Sequence, residues 1–270
     1  MQTQYKYLDD YIHERRSMGK YSFSLEALRS NFKQSDDALR KALQRLKKQK
    51  AIAIIRREFY VIVPPEYSVG NMIPTSLFID DLMKFLGRDY YVGLLNAAVY
   101  HHAAHQQPQS FSVITKGSCL REIHNDKVNI HFYIKETWSE KDIVQQKTAA
   151  GYIKISSPEL TALDLVNYHN AVGGFNRVAT VIEELAENMD AGKLADSAER
   201  YGAVAVVQRL GYLLEQILRK EELSNALYRY LNTVHFYPTL LRPQREKPES
   251  MASGNRWKVV VNTEVEIDDL

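Results

Sequence analysis

A short amphipathic segment near the start of the chain constrains the fold more than any other feature. Its apolar residues follow the spacing i, i+3, i+4 and i+7 of one helical stripe: Leu39, Ala42, Leu43 and Leu46. Ser35 precedes the stripe, and its hydroxyl can accept a free backbone N–H of a first helical turn. Asp36 and Asp37 then place negative charge where the helix dipole favours it. The segment therefore predicts a capped helix that buries one face and leaves a mostly basic face outside.

The flanking residues predict further elements in a recognisable order. A helix with Leu8 and Ile12 on one face ends at Gly19, and Tyr21–Phe23 follows as a short strand. Ser24 begins a short second helix, and the amphipathic helix is the third. The runs Ile52–Arg56 and Phe59–Val63 then predict a hairpin. Helix, strand, helix, helix and hairpin is the order of a winged helix-turn-helix, which we predict over residues 1–67.

Charge divides unevenly along the chain. Residues 1–67 hold 14 Lys and Arg against 8 Asp and Glu, and the remainder holds 21 against 25, within a net charge of +2. A basic front end is typical of a nucleic-acid-binding module joined to another domain. A chance fluctuation, or a helical bundle with a solvated basic face, would give the same counts. The agreement of capping, helix lengths and hairpin with one template favours DNA binding.

The predicted contacts follow from the fit of a helix into the major groove. Arg and Gln side chains hydrogen-bond base edges, whereas Lys pairs with phosphates. For base contacts we predict Ser35, Arg40, Gln44 and Arg45, of which Arg45 lies closest to the apolar stripe. For phosphate contacts we predict Lys33, Lys41, Lys47, Lys48, Arg56 and Arg57. The turn Arg57–Glu58 lacks the glycine or asparagine that a tight hairpin prefers, and Glu58 would repel phosphate.

Beyond a Pro-rich linker at Val63–Pro74, residues 68–270 predict a larger α+β domain. It combines a small sheet with a C-terminal helical layer. Helices are predicted over 77–86, 91–104, 157 onward, 175–188, 193–201, 203–218 and 221–234. Strands are predicted over 110–115, 128–135, 143–148, 152–155 and 256–266, with a loop over 242–255.

The second domain shows no catalytic constellation. His101 and His105 have the i, i+4 spacing of two metal ligands, but the Glu of a zincin helix and a third ligand are missing, so packed histidines are favoured. Glu159 and Asp164 are spaced i, i+5, which aligns them poorly for acid–base work. We therefore predict no catalytic residue, no metal and no cofactor, and a protein that is not an enzyme.

Targeting signals and cysteine usage favour a cytoplasmic protein. The start of the chain carries Asp9, Asp10 and Glu14 and has no apolar core of a signal peptide. The chain also has no apolar run long enough for a membrane span, so no membrane partner is expected. Cys119 is the single cysteine, and it is expected to be a small core residue or a surface thiol.

The chain resembles the AbiEi-family antitoxins of type IV toxin–antitoxin, or abortive-infection, systems. The matching stretches are LQRLKKQKAI, FYVIVPPEY, YYVGLLNAAVYHHAAHQQPQSFSVIT, GYIKISSPELTALDLV, GGFNRVATVIEELAE, VVQRLGYLLE and RWKVVVNTEVE. They follow the family's order over nearly the whole chain. The turn Arg57–Glu58 departs from the glycine-bearing turn of the family.

The resemblance implies a bacterial, cytoplasmic, two-domain protein. Its winged helix would bind inverted repeats in its own promoter, as double-stranded DNA, and repress transcription. Its second domain would counter a nucleotidyltransferase-like toxin without necessarily forming a stable complex. The residues alone leave three other hypotheses open: a winged-helix regulator whose second domain senses a small ligand, a metal-dependent enzyme using His101 and His105, and a protein–protein adaptor.

Overall fold

The computed structural model describes residues 6–68, 72–104, 108–243 and 253–267. The described residues form both α-helices and β-sheets, largely in separate runs along the chain, which confirms the predicted α+β class. The chain divides into two units. The first comprises Met1–Tyr91, Gln109–Glu136 and Gln145–Lys154, and the second comprises Val92–Pro108, Thr137–Val144 and Ile155–Leu270.

The first unit begins with six elements in the order that the sequence predicts. They are α1 (Lys6–Ser17), β1 (Ser22–Ser24), α2 (Leu25–Asn31), α3 (Asp36–Lys48), β2 (Ile52–Arg56) and β3 (Phe59–Ile62). The three strands form an antiparallel sheet with β3 in the centre. Ser22 is paired with Val61, and Ile54 with Tyr60. Ser24 and Ser35 cap α2 and α3 as predicted, each accepting a backbone N–H three residues on.

A hydrophobic core joins these elements. Leu39, Leu43 and Leu46 of α3 are at most 4% exposed and pack in one cluster with residues of α1, α2 and the sheet. Burial of each such side chain contributes roughly 1.5–3 kcal/mol to folding. The predicted apolar stripe of α3 is therefore confirmed. The core cluster lies within residues 8–62, whereas the first unit continues beyond residue 67. The domain boundary after residue 67 therefore stays a prediction.

The hairpin between β2 and β3 turns through Arg57 and Glu58. The register shifts between Ile54 and Arg56, so Ile55 is an extra residue that points into the core. Glu58 takes the left-handed conformation, with φ of 65°. A residue other than glycine is strained in this conformation. This strain is the reason that a tight hairpin turn prefers glycine at such a position. The Glu58 carbonyl oxygen accepts the Leu25 N–H at 2.9 Å and so ties the turn to the start of α2.

Six further strands form a mixed sheet in the order β6-β7-β5-β4-β9-β8. They are β4 (Tyr90–Val92), β5 (Phe111–Thr115), β6 (Ile123–His124), β7 (Asn129–Ile134), β8 (Ile143–Thr148) and β9 (Gly151–Ser156). Strands β5 and β7 are parallel, with Phe111 opposite Ile130, and β6 is antiparallel to β7. The strands predicted near residues 110, 128, 143 and 152 are confirmed.

One helix prediction is wrong at its start. The helix expected over 91–104 is divided, because Tyr90–Val92 is a buried strand and α5 covers only Leu94–Tyr100. Aromatic and β-branched residues fit a strand, and Gly93 separates the two elements. The helix expected over 77–86 is α4 (Ile79–Phe85), preceded by a 3₁₀ turn.

The second unit contains the predicted helical layer. Its helices are α6 (Pro158–Asn167), α7 (Phe175–Leu185), α8 (Ala191–Tyr201), α9 (Val204–Tyr212) and α10 (Glu221–Leu231). Ser157 caps α6 ahead of Pro158, as expected from the sequence. A π-helical turn, Leu213–Ile217, continues α9.

The predicted terminal strand is shorter than expected. Only Val259–Val260 (β11) pairs, in parallel with Thr239–Leu240 (β10). Trp257 beside it is fully buried against Gly211, where a side chain would collide with the indole ring. Burial of Trp257 therefore fixes the segment with little strand pairing. Residues 244–252 of the predicted loop lie outside the described residues.

The C-terminal end of α3 yields a stability prediction. The Ala51 N–H bonds to the Leu46 carbonyl and the Lys50 N–H to the Lys47 carbonyl, and Lys50 has φ of 57°. This is a Schellman motif with lysine where glycine is preferred. Lys50→Gly is expected to raise the free energy of unfolding by about 1 kcal/mol in urea titrations. Lys48→Gly removes the same charge from within the helix and is expected to lower it by about 1 kcal/mol. Equal effects of the two substitutions would contradict this account.

Candidate nucleic-acid interface

The predicted contact residues lie mainly on the exposed side of α3 and its flanks. Eight of the ten are exposed: Lys33, Ser35, Arg40, Lys41, Gln44, Lys47, Lys48 and Arg57. The buried stripe fixes the rotation of α3, so the polar positions between its apolar residues face away from the core. A cationic surface with Arg and Gln side chains suits a nucleic-acid duplex.

Ion pairing organises the N-terminal end of this surface. Arg29 of α2 donates two hydrogen bonds to Asp36 of α3, at 2.9 and 2.5 Å. The Arg29 hydrogen bond lowers the pKa of Asp36 below its ordinary value. The Ser35 hydroxyl accepts the Ala38 N–H at 3.3 Å, which leaves its proton available to an incoming acceptor. The turn between α2 and α3 is therefore held by its side chains.

Two predicted contact residues are engaged inside the first unit. Arg45 donates to the Asp9 carboxylate at 2.6 Å and is about one-third exposed. Arg56 donates to the backbone oxygen of Arg121 and lies over the Phe132 ring, 5.8 Å from its centroid. Burial lowers the pKa of Arg56. In contact with DNA, either guanidinium would have to share its donors with these partners or give the partners up. The sequence carries no local signal of such long-range partners.

Arg40 has a partner that its sequence position does not reveal. Its guanidinium lies 3.9 Å from the carboxylate of Glu58 in the hairpin turn, and both side chains remain accessible, 56% and 35% exposed. The predicted base contact and the acidic residue of the turn thus lie together on the surface of the first unit.

Of the two histidines considered for a metal site, His101 lies among the described residues. His101 Nε2 lies 2.7 Å from the Ser156 carbonyl oxygen, and burial lowers the pKa of His101. His105 lies outside the described residues. Among the residues that are described, no group of three or more His, Cys, Asp or Glu is arranged to hold a metal ion. His101 is therefore a packed, hydrogen-bonded histidine.

Three buried carboxylates of the second unit have partners within the fold. Glu159 accepts the Asp190 N–H at 3.1 Å, and Asp164 accepts the Tyr201 hydroxyl at 3.0 Å. Asp142, which the sequence analysis did not single out, accepts from Ser197 and from two Arg200 nitrogens at 2.6–3.0 Å. Buried carboxylates need such partners to offset desolvation.

Cys119 is an exposed free thiol, so of the two sequence expectations the surface one holds. In the described ranges no helix has the length and apolar character needed to cross a membrane.

The Arg29–Asp36 pair predicts a pH-dependent stability. Because the pKa of Asp36 is lowered in the folded state, its contribution is present above the unfolded-state pKa and is lost as pH falls through the folded-state value. Asp36→Asn is expected to be less stable than wild type near neutral pH, with the difference closing in acid. The measurement is thermal unfolding across pH. Asp37→Asn removes a neighbouring exposed carboxylate and reports the helix-dipole term alone. Identical pH profiles for both variants would contradict a specific role of Arg29.

Comparison with known proteins gives one solved structure of similar fold and one match to a family model. A solved structure, described as the crystal structure of RV2827C protein from Mycobacterium tuberculosis, is similar with a TM-score of 0.64 and 12% identity. The similarity covers 92% of this chain and 89% of that one, and at this identity it concerns the fold alone. No curated protein matches the chain.

One part of the chain also matches a protein-family model. Residues 91–216 match the AbiEi antitoxin C-terminal domain. This match supports an antitoxin role in a toxin–antitoxin system, and the family is not an enzyme family. The resemblance to the AbiEi antitoxins that the sequence predicts is confirmed over the residues that match the domain model.

Proposed function

We propose that the protein is a DNA-binding autorepressor and the antitoxin of a type IV toxin–antitoxin system. Residues 1–67 act as a winged helix-turn-helix that binds duplex repeats in the protein's own promoter. Residues 68–270 act as the antitoxin domain against a nucleotidyltransferase-like toxin, without a stable complex being required. The protein works in the cytoplasm and performs no catalysis.

One observation carries the DNA-binding part. The apolar stripe of α3 is buried while its Lys, Arg and Gln side chains stay exposed, in a helix that follows a short helix and precedes a hairpin. A recognition helix needs this combination, because it must be fixed from behind and free in front to enter the major groove.

The proposed roles follow side-chain chemistry. Arg40 and Gln44 present donors and acceptors that match guanine and adenine edges, and Ser35 lies at the end of α3 that typically enters the groove. Lys33, Lys41, Lys47, Lys48 and Arg57 pair with phosphates. Arg45 and Arg56 are the weaker candidates, since their guanidinium groups already have partners.

DNA binding is tested by its salt dependence. If about five phosphates are neutralised, log K is expected to fall against log[salt] with a slope of about −4 to −5. Arg40→Ala should cost roughly 1–3 kcal/mol on the preferred duplex and little on other duplexes. Lys47→Ala should weaken all duplexes alike and reduce the slope by about 1. The measurement is fluorescence anisotropy on a duplex from the gene's upstream region, and a flat salt response would reject DNA binding.

The antitoxin role is tested by growth. Expression of a neighbouring nucleotidyltransferase-like reading frame should arrest growth, and the full chain should restore it. The double variant Arg40→Ala, Lys47→Ala should restore growth as well as wild type from an inducible promoter, because neutralisation is assigned to residues 68–270. Loss of rescue in this folded variant would show that DNA binding is required, and failure of the wild type would reject the role.

A further inference from the structure

Four charged side chains of alternating sign form a row on the surface of the first 67 residues: Arg29, Asp36, Arg40 and Glu58. Arg29 of α2 is hydrogen-bonded to Asp36 at the start of α3. Arg40, one helical turn further on, lies on the same face of α3 as Asp36. Arg40 is in turn 3.9 Å from Glu58 of the hairpin turn. The row therefore connects the two helices and the hairpin through the residue that we assign to base contact.

Glu58 occupies its position at a cost. Its φ of 65° is a conformation that glycine adopts without strain. Its carboxylate also lies beside the surface assigned to DNA, where phosphates would repel it. The ion pair with Arg40 is exposed, and exposed pairs contribute only about 0–1 kcal/mol to stability. Folding stability therefore does not account for an acidic residue in this turn.

The backbone holds Glu58 firmly in place. Its carbonyl oxygen accepts the Leu25 N–H at 2.9 Å, and the adjoining residue Phe59 is buried in β3. The turn therefore brings its carboxylate to a defined part of the surface, 3.9 Å from the guanidinium of a long and flexible arginine. Arginine carries about 2 kcal/mol of rotamer entropy, and part of that cost is met in advance when the side chain is held near its bound orientation.

We infer that Glu58 is a specificity-determining positioning residue, which orients Arg40 for base reading and weakens binding to DNA of the wrong sequence. The inference rests on the proposed DNA-binding function. Repulsion between its carboxylate and phosphates acts on every duplex equally. Improved orientation of Arg40 benefits only duplexes that offer it the right base. The repulsion lowers all affinities alike, so the wider difference between specific and non-specific affinity comes from the orientation of Arg40.

The test compares two duplexes. One is selected by the wild-type chain from a library of duplexes with a randomised centre, and the other is a scrambled duplex of equal length. Glu58→Gln keeps the size of the side chain and removes its charge. We expect it to bind the scrambled duplex several-fold more tightly and to lower the ratio of selected to scrambled affinity by roughly tenfold. Asp37→Asn removes the same charge from an exposed position on α3 and should leave that ratio unchanged.

A double-mutant cycle separates positioning from direct contact. In the Arg40→Ala background, Glu58→Gln should no longer change the ratio, because the residue that it positions is missing. Glu58→Asp keeps the charge and should recover part of the ratio. An unchanged ratio in Glu58→Gln, or an equal drop with and without Arg40, would overturn the inference.

The outcome remains separable from that of the proposed function. If the wild-type chain selects no duplex and binds without salt dependence, the DNA-binding proposal fails. If it selects a duplex and Glu58→Gln discriminates as well as wild type, only the role of Glu58 fails. Thermal unfolding of each variant confirms that its affinity is that of a folded chain.

Discussion

Burial of one face of α3 is the interaction on which the rest of the first unit depends. Leu39, Leu43 and Leu46 are held in a core with α1, α2 and the three-stranded sheet. This packing sets the rotation of the helix, and the rotation decides which side chains face outward. Because a 3.6-residue period leaves the intervening positions on the other side, the same stripe that stabilises the fold also presents its basic surface.

On the surface of the first unit, basic side chains are paired with acidic neighbours. Basic residues that lie close together repel one another, and acidic neighbours relieve that repulsion: Asp36 beside Arg29, Asp9 beside Arg45 and Glu58 beside Arg40. Such exposed pairs add little to stability. They do reduce the net positive charge of the surface that we propose for DNA binding.

The second unit uses its polar residues differently. Asp142, Glu159 and Asp164 are buried, and their oxygens accept from arginine, backbone and tyrosine donors. Each carboxylate joins segments distant in sequence, and its partners offset the cost of burying its charge. These residues hold helices of the domain that carries the AbiEi family match.

The sequence by itself determined the features that depend on neighbours along the chain. The stripe of α3, the serine caps at Ser24, Ser35 and Ser157 and most strand positions follow from local spacing and side-chain chemistry. Local pattern failed at Tyr90–Val92, because an apolar run of that length suits a buried strand and a helix equally. The tertiary structure alone decided which charged groups meet. Three such contacts join distant parts of the chain: Arg40 with Glu58, Arg45 with Asp9, and Arg56 with the Arg121 carbonyl. Only the packing of the folded chain brings these atoms within reach of each other.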